Sequence, residues 1–378
     1  MKRWKFPHYT PGMPLPWALW MQDFPWLSDM QEVPQDPLWH AEGDVYVHTQ
    51  MVLEALVNLS EFKDLAPQDQ HVLVAAALLH DVEKRSTTTR ETIEGKERIV
   101  SPKHAKKGEY TARSLLYRDF PAPFPVRESI AKLVRLHGLP LWALEKGDSR
   151  KAVIEASTMV NTFLLYLIAK ADVLGRVCQD QEELLLRLEL FRELCLEHQC
   201  WNHAYPFASD YGRYIYLNRE DIAPDYAPFN DLKSEVMVLC ALPGTGKDTF
   251  LKRHWDGPIL SLDALRREMG IGPTDKKGNG RVIQAASEQA KVWLRQGERF
   301  TFNATNVIRE IRSKWISLFV DYKAKVELTY LEVPYSTLLK QNHNRQHPVP
   351  QAVVERLIDK LEIPQVREAH TLHWEVRN

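Results

Sequence analysis

Residues 236–250 read VMVLCALPGTGKDTF. The apolar, partly β-branched run 236–240 is the pattern of a strand buried on both faces. A turn carrying Pro243, Gly244, Thr245, Gly246 and Lys247 follows, and Asp248 and Thr249 open a helix. Backbone N–H groups in such a turn converge on phosphate oxygens, and the helix N-terminus adds positive potential. A lysine at Lys247 reaches the terminal phosphates as a point charge. Gly244, Thr245, Gly246, Lys247, Asp248 and Thr249 are therefore the candidate nucleotide-binding residues of a P-loop. Two positions depart from that motif: Ala241 stands where its first glycine usually sits, and Asp248 where a serine or threonine would hold Mg²⁺.

Downstream, strand and helix patterns alternate. Strands are expected over 258–262, 299–302 and 325–332, and helices over 248–254, 264–269, 282–296, 309–322, 335–341 and 350–361. Such alternation implies a parallel sheet flanked by helices. Candidates for phosphoryl transfer follow the strands. Asp263 closes one of them, with Arg266 three residues on, so a helix starting there puts both on one face. Asp263 then accepts a hydroxyl proton and Arg266 pairs bidentately with a substrate phosphate. The same spacing equally allows Asp263 as a helix N-cap and Arg266 as a surface residue. Another strand ends in Asn303-Ala304-Thr305-Asn306, at the carboxyl edge where open α/β sheets bind ligands. Arg345 precedes the loop Gln346-His347-Pro348-Val349-Pro350 and is a candidate lid arginine over bound ATP.

The first half reads differently. Residues 1–40 mix tryptophans with prolines that forbid a continuous helix, an irregular segment expected to pack on the first domain. From about 44 to 200 the pattern is almost wholly helical, with one hairpin-like insertion at roughly 86–100. Six polar residues fall on the apolar stripes of these helices or at their ends: His48, His80, Asp81, His104, His137 and Asp172. One buried neutral histidine is common. Four histidines with two carboxylates are not, because unpaired buried charge costs several kcal/mol, and a cation removes that cost. Mixed nitrogen and oxygen ligands suit a hydrolytic divalent transition metal such as Mn, Ni, Co or Zn. His104 follows Ser101-Pro102, a sequence that reads as a helix start.

Composition sets the outer bounds. The chain has 378 residues, 44% hydrophobic and 26% charged, which suits two or three soluble globular domains. No apolar run approaches the roughly 20 residues that span a bilayer, so no membrane partner is expected. Four cysteines without CxxC spacing favour reduced thiols and a cytoplasmic location. The net charge of −1 hides an asymmetry: residues 233–378 carry 23 basic against 17 acidic side chains, a balance suited to a polyanionic ligand.

The order His48 … His80-Asp81 … Asp172 resembles the signature of the HD-domain metal-dependent phosphohydrolases, an all-helical family, over roughly residues 40–175. His104 and His137 resemble the extra histidines with which some members bind a second metal. Lys84 matches a lysine that follows the doublet in several branches, which implies a place near substrate phosphate; a solvated helix-end lysine is the alternative. The downstream set resembles the 5′-OH polynucleotide kinases. That resemblance implies ATP or another NTP with Mg as cofactor, Asp263 as general base, Arg266 as grip on the scaffold phosphate and Arg345 as lid arginine. The family's second lid arginine is missing, since its position holds Gln341.

Together the halves resemble the bifunctional HD-domain polynucleotide kinase/phosphatase group of bacterial end-healing enzymes. This implies 5′-OH phosphorylation, removal of 2′,3′-cyclic, 2′- or 3′-phosphates, RNA or DNA ends as substrate, and a ligase in the same pathway. The expected architecture is a helical HD domain over 1–200, a linker or bridging element over 201–232 and a P-loop kinase domain over 233–378. Two other readings stand beside it. One is a metabolite kinase fused to an HD nucleotide phosphohydrolase; the other is a nucleotide-sensing HD module regulating an NTP-binding partner domain.

Overall fold

A computed structural model describes residues 4–272 and 274–377. The chain divides into two compact units, Met1–Pro206 and Phe207–Asn378.

The first unit is helical because its long segments carry apolar residues at three- and four-residue spacing. Its central helix, Pro67–Leu79, is buried on every side from position 70 onward. The small residues Ala75, Ala76 and Ala77 let neighbours pack close around it. Helices Val45–Asn58, Phe124–Leu136 and Thr162–Leu174 pack against this one. Two of these have firm N-caps: Asp44 accepts from the Val47 N–H, and Asn161 from those of Phe163 and Leu164. Helix His104–Arg118 packs on Phe124–Leu136. It begins at His104, after a left-handed Lys103, rather than with Ser101 as N-cap. The hairpin insertion is present, with β1 (Thr89–Ile93) antiparallel to β2 (Lys96–Val100). Glu94 and Gly95 both take positive φ, 51° and 74°, as the two central residues of a type I′ turn require. The proline- and tryptophan-rich N-terminal segment contains short helices Trp17–Asp23 and Pro25–Ser28 and buries Phe6, Trp20, Phe24 and Leu27.

The second unit is built on a fully parallel five-stranded sheet. Its strands are β3 (Ser234–Ala241), β4 (Ile259–Ser261), β5 (Phe300–Asn303), β6 (Ala324–Glu332) and β7 (Thr371–Val376), in the order β4-β5-β3-β6-β7. β3 is central, and its neighbours β5 and β6 come from opposite wings of the sheet. The carboxyl end of β3 is therefore the point where the strand order switches, where open α/β sheets form their ligand crevice. The edge strand β7 has no counterpart among the strands expected from the pattern, because TLHWEV mixes polar and exposed positions and holds no apolar run. Helix Lys276–Gln296 begins well before its apolar pattern, capped by Asp275, which accepts from the Gly278 N–H at 2.9 Å. Within the segment expected as a linker, residues 210–218 form helix Asp210–Asn218, capped by Ser209. No single helix among the described residues is long and apolar enough to cross a membrane.

Candidate functional site

In the helical unit the four histidines gather around the Asp81 carboxylate, and Asp172 joins them through His48. Asp81 Oδ2 lies 3.3 Å from His80 Nε2 and 3.6 Å from His48 Nε2, and His48 Nε2 lies 3.2 Å from Asp172 Oδ1. The other oxygen, Oδ1, lies 3.3 Å from His104 Nε2 and 3.9 Å from His137 Nε2. Two groups of donor atoms share Asp81, one with His48 and His80 and one with His104 and His137; Asp172 reaches His48 but belongs to neither group.

The tautomers define the chemistry. His80 Nδ1 faces Ala77 O at 2.7 Å, His104 Nδ1 faces Ser101 O at 2.7 Å and His137 Nδ1 faces Val134 O at 2.9 Å. His48 Nδ1 faces Glu42 Oε1 at 2.8 Å. Each Nδ1 is therefore an N–H donor, and in the neutral ring each Nε2 presents a lone pair toward the carboxylates. The Nε2 atoms of His48 and His80 lie 3.4 Å apart, a contact made either by a proton between the two rings or by a cation that both ligate. Neighbouring ligand atoms bonded at about 2.1 Å to one cation sit roughly 3.0–3.4 Å apart, close to these separations. Asp81 Oδ1 is buried and accepts no hydrogen bond, the condition a metal ligand satisfies and a structural carboxylate rarely shows. The residues present fit one or two divalent cations.

At His48 burial is outweighed by Asp172 and Glu42, which raise its pKa and favour a protonated ring whose proton a cation would displace; the neighbouring groups lean toward ligation. Burial works against charge on Asp81, but Lys84 and His80 outweigh it and hold the carboxyl well below its usual range. Burial is likewise outweighed at Asp172 by Arg176 and His48. Burial pushes His137 down to about 3, so its imidazole is neutral, the form that ligates. Lys84 is not a solvated helix-end lysine: it is buried, with Nζ 2.7 Å from Asp81 Oδ2 and donating to Gln35 Oε1 at 2.8 Å.

Several contributors lie outside the sequence reading. Glu42 orients His48, and His40 joins the same carboxylate at 2.8 Å. Arg176 Nε donates to Asp172 Oδ1 at 3.0 Å; its four-residue spacing from Asp172 was a usable signal. Gly175 marks a close helix approach. A Cβ there would lie 2.6 Å from the Val52 backbone nitrogen, and Gly175 O meets His48 Nδ1 at 3.3 Å. Gly175→Ala is expected to push the Asp172 turn away from His48, costing about 1–3 kcal/mol in a urea melt and lowering bound metal by elemental analysis.

In the α/β unit the turn after β3 places Gly244 and Gly246 at φ +92° and +88°, the left-handed region that glycine adopts without a Cβ penalty. Gly244 is also crowded: a Cβ would meet Leu338 O at 2.9 Å. Lys247 opens helix Lys247–His254 and folds back over the loop, with Nζ donating to Ala241 O at 3.3 Å and Leu242 O at 3.4 Å. Burial lowers its pKa; Asp263 and Asp248 oppose the shift and Arg345 adds to it, so these charges lie within electrostatic reach of the ammonium. Thr245 is buried and tied to Leu242 O, while Asp248 and Thr249 are exposed.

Ser261, not Asp263, caps helix Leu262–Glu268. Asp263 sits in its first turn, ion-paired with Arg266 at 2.5 Å, and Arg266 Nε also donates to Asn279 Oδ1 at 2.9 Å. Of the two asparagines after β5, Asn303 donates to Asp248 Oδ1 at 3.3 Å. Asn306 is buried and bonded to Leu239 O, a brace between strands. Asn342 bonds both backbone groups of Val349 and so closes the exposed loop that carries Arg345.

Residues 45–177 match the family model of the HD domain, and residues 236–364 match the model described as AAA domain. The chain thus joins a helical HD domain to a P-loop kinase-like domain with a parallel five-stranded sheet flanked by helices. Among solved structures, similarity extends to a Chloroflexus aurantiacus J-10-fl protein assigned as a kinase, at 17% identity over 38% of this chain and 88% of that one, TM-score 0.33. A chain of the Pnkp1/Rnl/Hen1 RNA repair complex matches at 16% identity over 36% of this chain, TM-score 0.32, and the match spans 47% of that chain's length. A gluconokinase from Sinorhizobium meliloti 1021 matches at 17% identity over 38% of this chain and 83% of its own, TM-score 0.28.

Proposed function

We propose that this chain is a two-site enzyme that repairs nucleic-acid ends. Its α/β unit phosphorylates 5′-OH ends from ATP, and its helical unit removes 2′,3′-cyclic, 2′- or 3′-phosphates. The observation that carries the reading is the set of histidine Nε2 atoms and carboxylate oxygens around Asp81, opening into a cleft whose wall holds Lys84, Arg135, Lys146 and Arg176. A metal-type donor set beside a basic wall suits a phosphate ester.

In the kinase step Asp263 accepts the proton of the 5′-hydroxyl, whose oxygen attacks the γ-phosphorus of ATP while the bond to the β-phosphate oxygen breaks. Arg266 fixes the Asp263 carboxylate and grips the neighbouring substrate phosphate. Lys247 and Arg345 offset charge on the transferring group. For the hydrolytic step His48, His80 and Asp81, with Asp172 beside His48, would hold one divalent cation, and Asp81, His104 and His137 would hold a second. Such cations supply Lewis-acid charge to phosphate oxygens and make water more acidic. Lys84 and Arg176 orient the phosphate against this set, and Glu42 keeps His48 in the ligating tautomer.

Two assays on the full chain test the proposal. With γ-labelled ATP, Mg²⁺ and a 5′-OH oligonucleotide, label is expected at the 5′ end; with Mn²⁺, Ni²⁺, Co²⁺ or Zn²⁺ and RNA ending in a 2′,3′-cyclic phosphate, phosphate release is expected. Label transfer to small hydroxyl metabolites but not to the oligonucleotide would replace the kinase assignment with the metabolite reading. Failure to release phosphate with any of the four metals would remove the second activity.

A further inference from the structure

Beside Asp81 two cavities of about 480 and 420 Å³ share His40, Lys84, His104, Trp142 and Arg176, and so form one continuous cleft. Its walls are not uniform. Arg135 and Lys146 line the part that contains Asp81 and His137. Asp36 and Asp180 line the other part, and Glu182 and Glu183 extend this acidic rim into a neighbouring recess. Lys146 is exposed and forms no ion pair among the described residues.

Trp142 stands where the two parts join, lining both, and remains 43% exposed. A lone exposed tryptophan means little, but this one is braced. The Arg187 guanidinium lies 4.8 Å from the indole centroid. Arg187 is itself fixed by Glu145 and Glu183, each at 2.7 Å, and reaches Leu141 O at 3.4 Å. The ring is therefore held in place as a flat platform beside a phosphate-type site, a combination that single-stranded nucleic-acid sites use to stack bases while cations follow the backbone.

We infer that Trp142 stacks the terminal base of a polynucleotide whose phosphate end lies at Asp81, and that the chain leaves over Lys146 and Arg135. The acidic rim of Asp180 and Glu182 closes the opposite exit to a phosphodiester backbone. Trp142 is thus a specificity residue that makes the helical unit a reader of nucleic-acid ends rather than a hydrolase of any phosphate ester. This inference rests on the hydrolytic half of the function proposed above.

The test uses full-length protein with its activating metal and two oligonucleotides ending in a 3′-phosphate, one with an ordinary terminal base and one with an abasic terminal sugar. Wild-type protein is expected to favour the base-bearing end in kcat/KM by about tenfold or more, within what base–aromatic stacking supports. Trp142→Ala should bring that ratio close to one, chiefly through KM, and Trp142→Phe should keep most of it. A fold defect would lower both substrates together and leave the ratio intact, which overturns the inference, as does a wild-type ratio near one. In a companion measurement Lys146→Glu should raise KM for an oligonucleotide several-fold more than for a mononucleoside 3′-phosphate; equal effects overturn the exit path. Wild-type protein that hydrolyses neither end defeats the underlying proposal, a result distinct from hydrolysis of both without discrimination.

Discussion

Asp81→Ala is expected to remove metal-dependent phosphate-ester hydrolysis, by more than about 100-fold, while ATP-dependent phosphorylation persists. Asp81 is shared by both donor groups: one oxygen faces His48 and His80, the other His104 and His137. Loss of a residue that merely orients a ligand already costs about 10–100-fold in affinity or activity, so loss of the shared ligand sets that range as a floor. The change also strips Lys84 of its carboxylate partner, leaving a buried ammonium held by Gln35 alone among the contacts in the site. Elemental analysis should register less metal per chain in parallel with the lost phosphate release. Full metal occupancy in Asp81→Ala with hydrolysis intact would contradict the role of Asp81 as the ligand common to both donor groups. Loss of kinase activity as well would indicate misfolding or a shared site.

Lys247→Ala is expected to lower label transfer from ATP by about 10²–10³-fold, the scale for removing one group that stabilises developing charge. The lysine is already folded over the phosphate loop through Ala241 O and Leu242 O, so little side-chain entropy remains to be lost when phosphate arrives. Burial lowers its pKa while Asp263 and Asp248 resist the fall. Hydrolysis by the helical unit should persist in this variant. A kinase loss under tenfold would show that Arg345 and the backbone N–H groups suffice, and that Lys247 is a brace of the loop rather than a phosphate ligand.

These residues differ in how they announce themselves along the chain. The P-loop is local: strand, glycines, lysine and helix follow within fifteen positions, and each obeys a short-range rule. The six histidine and aspartate positions are legible because a polar residue on an apolar stripe contradicts its own helix. The function of Asp263 was open at that level, since spacing allowed an N-cap; Ser261 takes that place and frees the Asp263 carboxylate for Arg266. Asn303 and Asn306 look alike in sequence, yet one meets Asp248 and the other braces β3.

What the amino-acid sequence determined by itself was the helical half, the parallel α/β half and the ligand types, because these depend on periodicity and on the cost of burying polar groups. The tertiary structure decided how those groups face one another. It set the Nδ1 partners of four histidines, the unpaired Oδ1 of Asp81 and the approach that only Gly175 permits. It also placed Arg312, fully buried and paired with Glu368 through two nitrogens, and the braced ring of Trp142 at the cleft. Such contacts join positions far apart in the chain, where no local period carries a signal. Their energies depend on distance and burial, which exist only once the chain has folded.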